Sequence, residues 1–115
     1  MPQGIDRTGV KIAESVEEAC DNADVIMGLR IQLERQKKGL FPSVGEYVKY
    51  YGITKERVAL AKKNAVVMHP APVNRGVEIA SDVIDSDKSY IYRQVTNGLA
   101  VRMAVLKMLI IGGER

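Results

Sequence analysis

Two short stretches of this 115-residue sequence hold most of the side chains able to do chemistry. The first is Arg30-Ile31-Gln32-Leu33-Glu34-Arg35. In extended backbone alternate residues share a side, which would set Arg30, Gln32 and Glu34 on one face. A guanidinium grips a carboxylate through two parallel hydrogen bonds and keeps its charge at any relevant pH. The Gln32 amide could add a directional bond, and Glu34 could hold Arg30 in place. From spacing alone, a solvated charged loop accounts for the stretch at least as well.

The second stretch is His69-Pro70-Ala71-Pro72. A residue before proline is pushed out of the helical region, so His69 and Ala71 are both expected to be extended. Pro70 and Pro72 have no N–H, so the bend offers carbonyl acceptors with few donors beside them. That suits an NH2 group, although a rigid strand-ending turn explains the residues equally simply. His69 is the sole histidine. No serine or cysteine nucleophile and no orienting acid is specified beside it, so a structural role is expected rather than a catalytic one.

Elements must position these stretches. Residues 1–9 read as a Gly- and Pro-punctuated loop, and Val10-Lys11-Ile12 as a short strand. Ser15 with Glu18 three residues on forms a capping box opening a helix over about 16–22. Val25-Ile26-Met27-Gly28-Leu29 reads as a buried strand with Arg30 at its carboxyl end. Residues 35–42 form a loop. Ser43 and Glu46 repeat the capping box before an amphipathic helix ending near Gly52, and Thr54 caps another running to about Lys63. Ala65-Val66-Val67-Met68 is a second buried strand stopped by the prolines. Residues 78–86 connect to a long helix over about 88–110. Strand and helix alternate, which predicts an α/β fold with a Rossmann-like parallel sheet flanked by helices. Ligands of such sheets lie beyond the carboxyl ends of the strands, where both stretches fall.

The last helix is apolar on two sides. Val95, Leu99, Met103, Leu106 and Ile110 line one face, and Val101, Val105, Met108 and Leu109 much of the other. One side can cover the sheet; the second needs a further domain or subunit. Gly98 within it is costly, and close packing against a neighbour would account for it. The net charge of +3 is mild, and the basic run Arg35-Gln36-Lys37-Lys38 is short, which disfavours nucleic acid. Arg102 and Lys107 interrupt the terminal apolar run, so no membrane span is expected. The single cysteine, Cys20, is expected to be a small buried hydrophobe, in keeping with a reducing, cytoplasmic compartment.

Three segments together resemble the aspartate carbamoyltransferases along essentially the whole chain. They are the run from Ala23 through Arg30 to Arg35, the run Met68-His69-Pro70-Ala71-Pro72-Val73-Asn74-Arg75-Gly76, and Gln94-Val95-Thr96-Asn97-Gly98-Leu99-Ala100-Val101-Arg102. The resemblance implies transfer of the carbamoyl group of carbamoyl phosphate to L-aspartate, a step of pyrimidine synthesis needing no metal or organic cofactor. It implies that Arg30 and Gln32 bind aspartate, that Glu34 positions Arg30, and that Arg35 takes part in links between two domains. The carbonyls of Pro70 and Ala71, at a bend with Pro72, would hold the carbamoyl group, and the Ala71–Pro72 peptide is expected to be cis. Ornithine carbamoyltransferases typically carry cysteine after this histidine; Pro70 favours aspartate.

The family's N-terminal half, with its Ser-Thr-Arg-Thr phosphate motif, catalytic histidine and further arginines, has no counterpart in these residues. The resemblance therefore implies a partial chain of a two-domain transcarbamoylase. Residues 1–86 would be part of the aspartate-binding domain, and 87–115 a C-terminal helix packing on the absent domain. Neighbouring chains of a trimer would complete each site, and the chain alone is expected to be inactive. A non-catalytic module, docking through the apolar helix onto another enzyme of the pathway, is the alternative.

Overall fold

A computed structural model describes residues 4–32 and 43–112. After a 3-10 turn at Ile5–Thr8, the elements are α1 (Val16–Cys20), β1 (Val25–Met27), α2 (Val44–Tyr51), α3 (Lys55–Ala59), β2 (Val66–Met68), α4 (Ser81–Ile84) and α5 (Ile91–Ile111). The expected α/β alternation is present, and β1 pairs with β2 in parallel, Val25 opposite Val66 and Met27 opposite Met68.

The helix starts follow from local chemistry. Ser15 Oγ accepts the Glu18 N–H and Ser43 Oγ the Glu46 N–H, both at 3.1 Å, while Thr54 Oγ1 accepts from Arg57 N at 3.5 Å. Each satisfies an amide that the first helical turn leaves without a partner. Glu18 departs from a full capping box: its carboxylate takes the Glu14 N–H at 2.8 Å, one residue before the cap.

The helix ends answer to tertiary demands. α1 stops at Cys20, two residues short of expectation, because Asn22 turns back at φ 54 and donates to Leu60 O at 3.1 Å. α3 stops at Ala59, four residues short of Lys63. There Leu60 N and Ala61 N tighten onto the Arg57 and Val58 carbonyls, and Lys62 N reaches Ala23 O at 3.1 Å. Both departures bring residues 23–25 beside 62–66 so that the ladder can start. Gly52 ends α2 as expected; a Cβ there would lie 2.7 Å from the Val48 carbonyl oxygen. Arg57 holds this corner, donating to the carbonyls of Lys49 and Gly52 and pairing with Glu17 at 2.7 Å.

The core joins Ile26 and Val67 of the two strands to Cys20, Ile53, Val58, Ile79, Val83, Ile84 and Ile91. Cys20 is buried, as its place on α1 predicts, and burial pushes its thiol pKa up. Three expectations are corrected. Val10-Lys11-Ile12 forms no strand, since no described strand lies beside it to complete a ladder. β1 is buried on one side only: Ile26 faces the core, while Val25 and Met27 stay about half exposed because no described element covers the outer face of the two-stranded sheet. Gly98 meets no neighbouring element; the nearest atom to a Cβ there would be Arg102 Nη1 at 3.8 Å.

α5 bears out the two-sided apolar pattern and exceeds it. Its first turn is docked, with Ile91 buried and Tyr90 N donating to Val67 O at 2.8 Å. From Leu99 onward every described residue is exposed. The reason is length: 21 residues of helix reach about 32 Å, whereas strands of three residues offer about 10 Å. By length and composition α5 could also cross a membrane. Arg102 stands near its middle, where a charge costs about 2.5–3.5 kcal/mol.

Placing the core around Ile79, which is fully buried, predicts that Ile79→Ala lowers stability by about 2–5 kcal/mol. Leu109→Ala, at a residue 71% exposed, should change it by less than about 0.5 kcal/mol. Urea unfolding of the two variants measures this; similar losses would put the core elsewhere.

Candidate functional site

The parallel register brings the carboxyl ends of β1 and β2 side by side. Beyond the last paired residues the ladder runs one step further, with Gly28 N donating to Met68 O at 2.9 Å. Gly28 is required by space: a Cβ would stand 3.0 Å from Ile79 Cδ1 and 3.2 Å from Ile53 Cδ1. Past it Leu29 is exposed. Ile31 is buried, Arg30 is half-buried and Gln32 is exposed. Glu34 and Arg35 lie outside the described residues.

From Met68 the second chain enters His69, which is fully buried, and then Pro70, Ala71 and Pro72, which are all exposed. The Ala71–Pro72 peptide is cis, as expected. The expectation of an extended Ala71 is corrected: its φ is 58. The His69 ring supplies the reason, because Nδ1 accepts the Ala71 N–H at 2.9 Å and draws the backbone over the imidazole. With that donor used, neither the Pro70 nor the Ala71 carbonyl accepts a hydrogen bond from a described residue. The bend thus presents, at the strand end, two acceptors that no described residue uses.

Residues not singled out in the sequence complete the arrangement. Asn74 N donates to Glu78 Oε1 at 2.6 Å, and Asn74 Nδ2 donates to Ile31 O at 3.1 Å. The second bond ties the bend directly to the Arg30–Gln32 stretch. Glu78 is 2% exposed, and its Oε1 lies 3.6 Å from His69 Nε2. Since Nδ1 is an acceptor, the proton of the neutral ring is assigned to Nε2, facing Glu78. Burial lowers the His69 pKa and the Glu78 charge opposes that in part. His69 is therefore a neutral, enclosed ring rather than an exposed base, as its sequence surroundings suggested. Gly76, at φ 76, supports the return of the chain from Asn74 to Glu78, and its N–H reaches Ile79 O at 2.8 Å. A cleft between Lys11–Glu17 and Tyr50, Tyr51 and Arg57 is lined by none of the predicted site residues.

A family model described as "Aspartate/ornithine carbamoyltransferase, Asp/Orn binding domain" matches residues 3–109. The chain belongs to this carbamoyltransferase family. Curated relatives include the aspartate carbamoyltransferase catalytic subunit of Acetivibrio thermocellus, 59% identical over 109 residues, with 95% of this chain and 35% of the relative covered. The corresponding subunit of Citrifermentans bemidjiense is 58% identical over 115 residues, with 99% and 37% covered. The chain thus spans little more than a third of the relatives' length. Among solved structures, aspartate transcarbamoylase from Trypanosoma cruzi, in complex with carbamoyl aspartate and phosphate, matches with a TM-score of 0.70 and 30% identity, covering 92% of this chain and 35% of that one. Ornithine carbamoyltransferase from Pyrococcus furiosus gives 0.71 and 32%, covering 88% and 32%. The carbamoyltransferase fold is common to both, and the closely similar sequences are aspartate enzymes.

The enclosed histidine makes stability depend on pH with a definite sign. In the unfolded chain His69 titrates near the ordinary 6.5, and in the fold below it. Below about 6.5 the unfolded chain therefore binds more protons, and stability falls as pH drops toward the folded pKa. Glu17, Glu18 and Glu56, held below the usual 4.5 by backbone and side-chain hydrogen bonds, lose their contributions only below about 4.5. Urea unfolding should show a decline between about pH 7 and 5 that His69→Leu removes; a flat wild-type profile over that interval would contradict an enclosed neutral ring.

Proposed function

We propose that this chain supplies the aspartate-binding side of an aspartate carbamoyltransferase catalytic centre. In that reaction the amino nitrogen of L-aspartate forms a bond to the carbamoyl carbon. The bond from that carbon to the phosphate oxygen breaks, giving N-carbamoyl-L-aspartate and phosphate. Arg30 takes a carboxylate of aspartate through paired hydrogen bonds, and Gln32 adds a directional amide contact. The Pro70 and Ala71 carbonyls accept from the carbamoyl NH2, and Pro72 completes the shape of the bend. Glu34 holds Arg30, and Arg35 serves contacts between domains. No residue of this chain is assigned as a catalytic acid, base or nucleophile.

The observation that carries this reading is the Asn74 to Ile31 bond. It joins the Arg30–Gln32 stretch to a bend with two carbonyls that no described residue uses, in a chain 53–59% identical to aspartate carbamoyltransferase catalytic subunits, which supports this reading. An amino acid and a carbamoyl donor need those two kinds of contact within a few ångströms of each other.

The uncovered α5 indicates a partner. The radius of gyration is 17.0 Å, against about 13 Å for a compact chain of this length. The accessible surface is 9044 Å², against about 6,200 Å² for a compact protein of this mass. The partner proposed is the part of the catalytic subunit that the relatives contain and this chain does not span, with neighbouring subunits completing the site. A cytoplasmic setting agrees with the single buried thiol.

Arg30→Ala in the enzyme assembled with that part should raise the aspartate KM about 10- to 150-fold, the effect of losing roughly 1.5–3 kcal/mol of charged hydrogen bonding. The carbamoyl phosphate KM should stay within about threefold. Steady-state kinetics with each substrate varied measures both; equal loss for the two would contradict the role of Arg30.

A further inference from the structure

The contacts assigned to substrate leave a buried pair of ionisable side chains unused. His69 is fully enclosed and Glu78 is 2% exposed, and groups of this kind are costly to bury unless their partners hold them. Their partners are the two ends of the bend. His69 Nδ1 receives the Ala71 N–H at 2.9 Å, and Glu78 Oε1 receives the Asn74 N–H at 2.6 Å. The two side chains meet below the bend, His69 Nε2 facing Glu78 Oε1 at 3.6 Å. We propose that His69 and Glu78 form a two-point clamp that fixes the 71–74 bend, and that both are positioning residues for the carbamoyl contacts rather than catalytic ones.

The covalent structure makes such a clamp necessary. Pro70 and Pro72 cannot donate hydrogen bonds, so the bend cannot be held by a regular backbone ladder. Ala71 sits at φ 58, a conformation that a non-glycine residue keeps only when its surroundings impose it. The imidazole acceptor imposes it from one side. Glu78 fixes the exit at Asn74, whose side chain carries the placement on to Ile31 O at 3.1 Å. A hydrophobic pair of similar volume could fill the same space, yet would leave the Ala71 and Asn74 amides without acceptors. The carboxylate also stands where it favours the proton on Nε2, which leaves Nδ1 free to accept.

The functional part of this inference rests on the aspartate carbamoyltransferase reading; the clamp itself does not. In the chain as it stands, nitrogen NMR of the ring should show an unprotonated Nδ1 and a protonated Nε2. Hydrogen exchange should show protection at Ala71 and Asn74. Glu78→Leu should speed exchange at Asn74 about tenfold or more, and His69→Leu should do so at Ala71. In both variants Gly28 and Tyr90, whose amides bond to Met68 O and Val67 O, should keep their protection, which separates loss of the clamp from unfolding. Glu78→Gln keeps an oxygen acceptor and His69→Asn puts one in place of Nδ1, so each should keep most of the protection. A ring protonated at Nδ1, or unaltered Ala71 and Asn74 exchange in the leucine variants, would overturn the clamp.

In the assembled enzyme His69→Leu should raise the carbamoyl phosphate KM about tenfold, leave the aspartate KM within about threefold, and be rescued by His69→Asn. Equal change in both constants, or no rescue, would overturn the positioning role. An assembled wild-type enzyme without carbamoyl transfer, but with the NMR signature intact, would overturn the enzymatic reading alone.

Discussion

The parallel pairing of β1 with β2 is the constraint on which the rest of the chain depends. With Val25 opposite Val66, Gly28 falls beside Met68 and the chains emerge together as Arg30 and Pro70. Side chains alternate along a strand, so a slip of β1 by one residue would turn Ile26 outward. It would also turn Ile31 out and Arg30 in. The register is held from one face and from the edge of β2. Ile79 fills the space that Gly28 leaves open, and the Tyr90 N–H closes onto Val67 from the start of α5. The site geometry is therefore a consequence of core packing rather than an addition to it.

The two ends of the site are built differently. Arg30 and Gln32 flank one buried residue, Ile31, that anchors their stretch. The bend at 70–73 has no N–H at its two prolines and relies on the side chains of His69, Glu78 and Asn74. Asn74 belongs to both ends, since its backbone is held by Glu78 and its amide group holds Ile31. One side chain thus joins the bend to the Arg30–Gln32 stretch and sets the spacing of the two proposed contacts.

Much of this was legible in the residues. The caps at Ser15, Ser43 and Thr54 act within three residues, so the sequence places them well. The apolar runs around Ile26 and Val67 marked the strands, and the double apolar face of α5 marked the missing cover. What depends on distant partners was not legible. Val10-Lys11-Ile12 has strand composition but no strand to pair with. The early ends of α1 and α3 follow from contacts of Asn22 with Leu60 and of Lys62 with Ala23. Ala71 was expected to be extended from its proline neighbour alone, which ignores the acceptor two residues earlier. Glu78 reads as one more acidic residue in a connection until the fold buries it beneath His69. Asn74 acts on a carbonyl 43 positions away, beyond the reach of any spacing rule.

The chain presents the proposed substrate contacts beyond the carboxyl ends of its strands, and a helix whose described residues are exposed from Leu99 onward. Both are accounted for if it works only with the remainder of a catalytic subunit. The most direct measurement is formation of N-carbamoyl-L-aspartate from carbamoyl phosphate and L-aspartate, by the pure 115-residue chain and by the same chain combined with the portion of a catalytic subunit that it does not span. The account predicts no turnover from the chain alone and turnover from the combination. Robust turnover by the chain alone, or none from a combination shown to associate, would contradict it.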